Sequence, residues 1–128
     1  MNGGFEAGTL SPWTCTGNLG RLVTWPVHSG LYALAGAVTD RDTAQCVQSV
    51  RVQPNRRYTL SGFVRGAYVF IGVSGTGTND PNTWTSGGNG YLPLSVGFST
   101  GASTTVVTVY VHGWYAQGGY DADDLTLR

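Results

Sequence analysis

The carboxylates and histidines are the side chains from which a catalytic or metal-binding centre would have to be built. The chain holds seven carboxylates, Glu6, Asp40, Asp42, Asp80, Asp121, Asp123 and Asp124, and two histidines, His28 and His112. Hydrolysis of a glycosidic bond by paired carboxyl groups needs two of them about 5 to 10 Å apart across a cleft. Glu6 is the sole glutamate, and Asp40, Asp42 and Asp80 fall in expected loops. Asp121, Asp123 and Asp124 could supply a pair, but they are expected beside the last strand at the chain's end, away from the middle of any face. The run GFSTG around Ser99 matches the GxSxG pattern of a nucleophile elbow. That elbow must lead from a strand into a helix, and here ASTTVVTVYV follows, which reads as another strand. GTGTNDP is glycine-rich but lacks the Lys-Ser/Thr of a phosphate-binding loop, and no helix follows it. The chain is not expected to be an enzyme.

Two further constellations remain. Glu6 near the first strand and Asp123-Asp124 near the last would converge if the termini pair, and hard oxygen ligands suit calcium. From spacing alone, a solvated acidic turn is the favoured reading. The second constellation is VYVHGWYAQGGYDADD, from Val109 to Asp124. Val107, Val109 and Val111 alternate there with Thr108, Tyr110 and His112, and Trp114 continues the second series. Side chains alternate across a strand, so the valines build a core and the aromatic series faces the other way. In AYVFIGV the residues Val69, Ile71 and Val73 likewise oppose Tyr68, Phe70 and Gly72. A second sheet covering that reverse face would make the rings interior aromatics, but Thr108 and His112 would then need buried partners. His112 is expected to be a hydrogen-bonded surface or cleft residue rather than a metal ligand.

These residues must be positioned by a β-rich scaffold. No segment carries a helical stripe of ten or more residues. Short β-forming runs separated by Gly, Pro, Asn and Ser are expected as strands at Leu19 to Trp25, Tyr32 to Ala37, Ala44 to Val52 and Tyr58 to Arg65. Four more are expected at Tyr68 to Ser74, Tyr91 to Ser99, Thr104 to Trp114 and Ala122 to Leu127. Gly75 to Gly90, which contains Trp84, reads as one long polar loop. Eight or so strands at this spacing predict an all-β fold, a β-sandwich.

The 128 residues, with no internal repeat or linker, predict a single domain spanning 1–128. Only 11% of residues are charged, the net charge is zero, and all seven basic residues are arginine. Nucleic acid is not expected as a partner, because neutralising phosphates takes clustered basic residues. No apolar run approaches the roughly 20 residues that span a bilayer, so no membrane partner is expected. Met1 is followed directly by Asn2-Gly3-Gly4, which reads as a chain cut at a domain boundary without a signal peptide. Cys15 and Cys46 lack CxxC spacing, which disfavours zinc. A disulfide between them is expected, which implies an extracellular location; two buried thiols are the alternative.

Four motifs in order along the chain carry a resemblance: NGGFEAGTLSPW, HSGLYALAG, CVQSVRVQPNRRYTLSGFVRG and YDADDLTL. The sequence resembles the jelly-roll carbohydrate-binding modules of secreted glycoside hydrolases over almost its whole length. CVQSVRVQPN, YVFIGVSGTG and TGASTTVVTVYVHGWYAQGGYDADD are most similar to modules attached to chitinases of actinobacteria, streptomycetes in particular. The resemblance implies a jelly-roll sandwich of two antiparallel sheets with a structural calcium joining the N-terminal segment to the last strand. Glu6 and one of Asp123 or Asp124 would be side-chain ligands, completed by carbonyls around Asn2 to Gly4 and near Leu31. It further implies a secreted monomer that binds a polysaccharide or oligosaccharide without cleaving it, joined to a catalytic domain in its parent chain. Chitin is the expected glycan, with xylan, β-glucan and cellulose as alternatives. A jelly roll that only packs on a catalytic domain without binding glycan, and a cell-surface adhesion module, are the other classes that stay open.

In such a module flat rings cover the apolar faces of sugars, and amides, imidazoles and hydroxyls bond the sugar rim. The expected ligand residues are Trp114, Tyr115, Tyr68, Trp84, Gln117, His112 and Tyr110, with Phe70 in the same stripe. Trp13, Tyr32 and Tyr58 are expected to be structural. Trp25 is open to either role.

Overall fold

The computed structural model describes residues 1–128. Ten strands and no helix make up the chain: β1 (Thr14–Cys15), β2 (Gly20–Val23), β3 (Ala33–Gly36), β4 (Cys46–Arg51) and β5 (Arg57–Gly66) form its first half. Its second half holds β6 (Val69–Ser74), β7 (Asn82–Thr85), β8 (Leu92–Ser99), β9 (Val106–His112) and β10 (Tyr120–Leu127). They form two five-stranded antiparallel sheets, a front sheet in the order β1-β4-β9-β6-β7 and a back sheet in the order β2-β3-β10-β5-β8.

Period-two patterning sets which way each strand faces. Val107, Val109 and Val111 of β9 and Val69, Ile71 and Val73 of β6 are all buried. Leu34, Leu60, Val64, Phe98, Ala122 and Leu125 of the back sheet meet them in one core cluster. Removing this much apolar surface from water, at about 25 cal/mol per Å², is what holds the two sheets together. Phe5 and Trp13 close one end of the core with ring centroids 5.8 Å apart. The Trp13 indole donates to the Asn2 carbonyl at 3.0 Å. The front sheet is tied at its margin by a Cys15–Cys46 disulfide between β1 and β4, so neither cysteine is a free thiol.

Four local expectations need correction. The segment from Gly75 to Gly90 is not all loop, because Asn82–Thr85 pairs with β6 along Val69–Gly72. Its sequence NTWT has no apolar alternation to announce a strand; pairing with β6 supplies what the pattern lacks. Thr14–Cys15 is a strand too, too short to show any periodicity. Strand β9 stops at His112, two residues before Trp114, because the Gly113 amide leaves the ladder to bond the Thr43 carbonyl at 2.9 Å. Finally, the acidic triplet does not lie beside the last strand at a margin: it lies within β10, the middle strand of the back sheet. Tyr120, Ala122 and Leu125 of β10 are all core residues, and that burial draws the strand to the sheet centre.

Candidate carbohydrate-binding face

The two outer faces of the sandwich differ in what covers them. On the back sheet, the connection from β2 to β3 folds over the strands. Tyr91 donates its hydroxyl to the Pro26 carbonyl at 2.8 Å. The His28 ring stacks on Phe63 of β5 at 3.6 Å between centroids and meets Tyr91 edge-on. Asp123 points outward from β10 but is fully buried beneath this connection. Its carboxylate accepts the amides of His28 and Ser29 on one oxygen and that of Asp124 on the other, at 2.9 to 3.2 Å. Burial raises the Asp123 carboxyl above the ordinary range, opposed by those amide bonds. Asp121, also outward, pairs with Arg65 at 3.0 Å; burial raises its carboxyl despite that guanidinium. Both acids of the triplet that face outward are therefore spent on structure, and no paired carboxylates stand in an open cleft.

The front sheet has no such cover. Its outer face carries Tyr110 and His112 from β9, Phe70 from β6 and Trp84 from β7, opposite the buried valines. Pairing sets the order across the strands: Phe70 faces His112 on one side and Trp84 on the other. The rings follow this register. Phe70 and His112 lie 4.7 Å apart at 20° between planes, Phe70 and Trp84 5.7 Å at 23°, and Tyr110 and His112 5.6 Å at 11°. Tyr68, just ahead of β6, stacks on Trp84 at 5.8 Å.

Trp114 reaches the same place from a turn. The Gln117 amide bonds the Trp114 carbonyl at 3.2 Å, and the Ala116 amide bonds the Thr39 carbonyl at 3.0 Å, so the turn is anchored at its tip. Trp114 packs obliquely on Phe70 at 5.6 Å and meets Tyr115 edge-on at 5.2 Å. Tyr68, Phe70, Trp84, Trp114 and Gln117 together line a recess of about 280 Å³. Phe70, the more buried ring, forms its floor between the two indoles, nearly parallel to Trp84 and oblique to Trp114. Trp84 is 51% exposed and Trp114 44%.

Of the residues expected to contact ligand, Tyr68, Trp84, Trp114 and Gln117 line this recess. His112 and Tyr110 continue it along β9, and Tyr115 lies outside against Trp114. One residue that sequence reasoning passed over, Asn82, belongs to the same face. Asn82 of β7 stands in line with Tyr110, with Gly72 of β6 between them. A β-carbon on Gly72 would run into both the Tyr110 hydroxyl and Asn82, so the missing side chain is what lets the tyrosine lie low over β6. Burial there raises the Tyr110 hydroxyl above its ordinary range. Asn82 was hidden by its place in the supposed loop. Trp25 lies on the other side of the molecule, 79% exposed in the connection between β2 and β3.

This bare, ring-lined face suits a sugar, whose apolar C–H face stacks on an indole while its hydroxyls reach for amides. A family model described as a carbohydrate binding domain, CBM_4_9, matches residues 1–121. The chain belongs to the CBM_4_9 family of carbohydrate-binding domains. As a carbohydrate-binding module it is a non-catalytic domain.

Relatives and structures agree with that membership. The chain is 54% identical over 126 residues to Exochitinase 1 of Streptomyces olivaceoviridis, covering 98% of this chain and 21% of that protein. It spans only 21% and 26% of the length of the curated relatives it matches. The module's fold is also that of TmCBM61, solved with β-1,4-galactotriose, at a TM-score of 0.79 and 21% identity over 99% of this chain and 94% of that one. The CBM22-1 xylan-binding domain of Paenibacillus barcinonensis Xyn10C superposes at a TM-score of 0.70 with 18% identity, over 98% and 90% of the two chains.

At the junction of the termini, the Leu125 amide bonds the Gly3 carbonyl at 3.0 Å, so the N-terminal segment does meet the last strand. Glu6 accepts the amides of Leu31 and Tyr32 at 2.8 and 3.0 Å. Asp124 sits in a bulge of β10 with φ of 51°, and its Oδ2 accepts from His28 Nδ1 and Ser29 Oγ, both at 2.6 Å. Gly4 lies between the two carboxylates, near Asp124 Oδ1 and the Glu6 side chain. No group of three or more His, Cys, Asp or Glu side chains is gathered here or elsewhere in a way that could hold a metal ion. Glu6 and Asp124 offer carboxylate oxygen on either side of Gly4, the hard-oxygen chemistry that calcium takes.

Proposed function

We propose that this module binds a β-linked polysaccharide in the aromatic recess of the front sheet and holds an attached, secreted glycoside hydrolase against its substrate. Chitin or a chitooligosaccharide is the proposed glycan. The observation that carries this reading is the Trp84–Phe70–Trp114 recess: two half-exposed indoles flank a ring floor on the one sheet face that no loop covers. A sugar ring entering it stacks on indole, and Gln117 offers an amide donor and an acceptor to a hydroxyl or an N-acetyl group. The choice of chitin is supported by the 54% identity to a protein named as an exochitinase. Pull-down on insoluble chitin, xylan, cellulose and β-glucan tests it directly. Retention on chitin with no release of reducing ends is expected. Retention on none of them would leave a jelly roll that packs on its catalytic domain without binding glycan.

We also propose a structural calcium at the junction of the termini. Glu6 and Asp124 would hold it, with carbonyls of the Asn2 to Gly4 segment. Asp123 supports that site indirectly, through the amides it fixes at His28, Ser29 and Asp124. The ion would tie the N-terminal segment to β10 and take no part in glycan recognition.

A further inference from the structure

We propose that His112 is a specificity-determining residue of the recess, presenting a fixed lone pair at Nε2 that accepts a hydrogen bond from the bound glycan. The proposal rests on reading the front face as the glycan cleft. It follows from one contact: His112 Nδ1 lies 2.6 Å from the carbonyl oxygen of Gly113. A carbonyl can only accept, so Nδ1 must carry the proton, and in the neutral ring Nε2 is then bare of hydrogen. The tautomer is set by the backbone next door. The ring cannot swing away from it, because Phe70 stacks on it at 4.7 Å and Tyr110 at 5.6 Å, both within 20° of parallel.

Nε2 has no hydrogen-bond partner within the protein. It is also not a buried unpaired atom, since Gln48 Oε1 is the single case of that kind. It therefore reaches solvent, on the same face as the indoles. Gln117 at the recess can turn its amide to suit either a donor or an acceptor, but a locked imidazole cannot. His112 thus demands a donor from the ligand: a hydroxyl or the N–H of an acetamido group.

The test is titration calorimetry of the folded chain with chitohexaose and with cellohexaose, which share a β-1,4-glucan backbone and differ at C2. His112→Phe keeps the stacked ring and removes the acceptor; it should bind about tenfold more weakly than wild type, on the order of one hydrogen bond. His112→Gln places an amide oxygen near the Nε2 position; it should recover most of the affinity. A loss in His112→Phe with both hexaoses assigns the donor as a hydroxyl, and with chitohexaose alone as the acetamido N–H. His112→Phe that binds like wild type, or His112→Gln that binds no better than His112→Phe, overturns the proposal. If Trp114→Ala abolishes binding while His112→Phe does not, the cleft stands and only the role of His112 falls. If neither hexaose binds wild type, or neither variant changes binding, the cleft reading falls and takes this inference with it.

Discussion

Tyr91 donates its hydroxyl to the carbonyl of Pro26 at 2.8 Å, joining the residue that precedes β8 to the connection between β2 and β3. That bond helps keep the outer face of the back sheet closed. Tyr91→Phe should cost about 0.5 to 1.5 kcal/mol of stability, the usual net worth of one such bond. It should leave glycan affinity unchanged. Denaturant unfolding and calorimetry on the same sample check both halves, and a loss of affinity would place ligand on the back sheet.

The two indoles should behave oppositely to the buried one. Trp84→Ala and Trp114→Ala should each weaken glycan binding by about 1 to 3 kcal/mol, by analogy with aromatic stacking on other flat ligands. Both side chains are half exposed, so melting temperatures should barely move. Trp13 is buried, and Trp13→Ala should cost about 3 to 5 kcal/mol of stability. Binding per folded molecule that survives loss of both exposed indoles would move the site elsewhere.

Gly72→Ala probes the floor beyond the recess. The added methyl occupies the space of the Tyr110 hydroxyl and must lift that ring. The Tyr110 hydroxyl is the far end of a side chain and can move, but the Asn82 β-carbon is held close to its backbone, so a stability loss of about 0.5 to 3 kcal/mol is expected as well. Glycan affinity should fall, and Tyr110→Ala should remove the extra effect of the methyl in a double-mutant cycle. Additive effects would mean that Tyr110 does not shape the floor.

Calcium should stabilise the fold without acting in recognition. An ion that binds only the native state adds about 2.7 kcal/mol at a hundredfold excess over its Kd. A chelator should lower the melting temperature, added calcium should restore it, and Glu6→Gln should blunt the response. A melting curve indifferent to chelator and calcium alike would return the junction to a solvated acidic turn.

Acid should weaken the approach to β7 through Asp80. Its Oδ1 accepts the Thr76 amide at 3.0 Å and the Thr76 hydroxyl at 2.8 Å. The amide bond, then the hydroxyl, hold this carboxyl below the ordinary aspartate value of 3.8. A depressed folded value means that the stabilisation is complete above 3.8 and is lost as pH falls below it, through the folded value. Asp80→Asn should therefore be less stable than wild type at neutral pH, and the gap should close as the pH drops from about 4 toward 2. Thermal melts across that range measure it, and a gap that stays constant would deny the linkage.

Much of the sandwich was legible in the sequence. Alternation in Val107 to His112 and in Val69 to Val73 fixed which side chains pack inward, because a strand has no other way to bury its valines. It likewise put Tyr110, His112 and Phe70 on the reverse. The disulfide followed from a lone cysteine pair without metal-site spacing, and the buried Trp13 fitted the motif around it. What local pattern could not decide was which outer face stays open. The connection from Trp25 to Leu31 is polar and irregular in sequence. It seals the back sheet only because Phe63, Tyr91 and Asp123, distant along the chain, supply a stack, a hydroxyl and a carboxylate. The recess has the same origin. Trp84 lies 30 residues from Trp114, in a segment with no apolar rhythm, and β7 exists because β6 offers an unpaired edge. Local sequence set the direction of each side chain. The tertiary structure chose the neighbours, because strand pairing and loop docking depend on contacts between residues far apart in the chain.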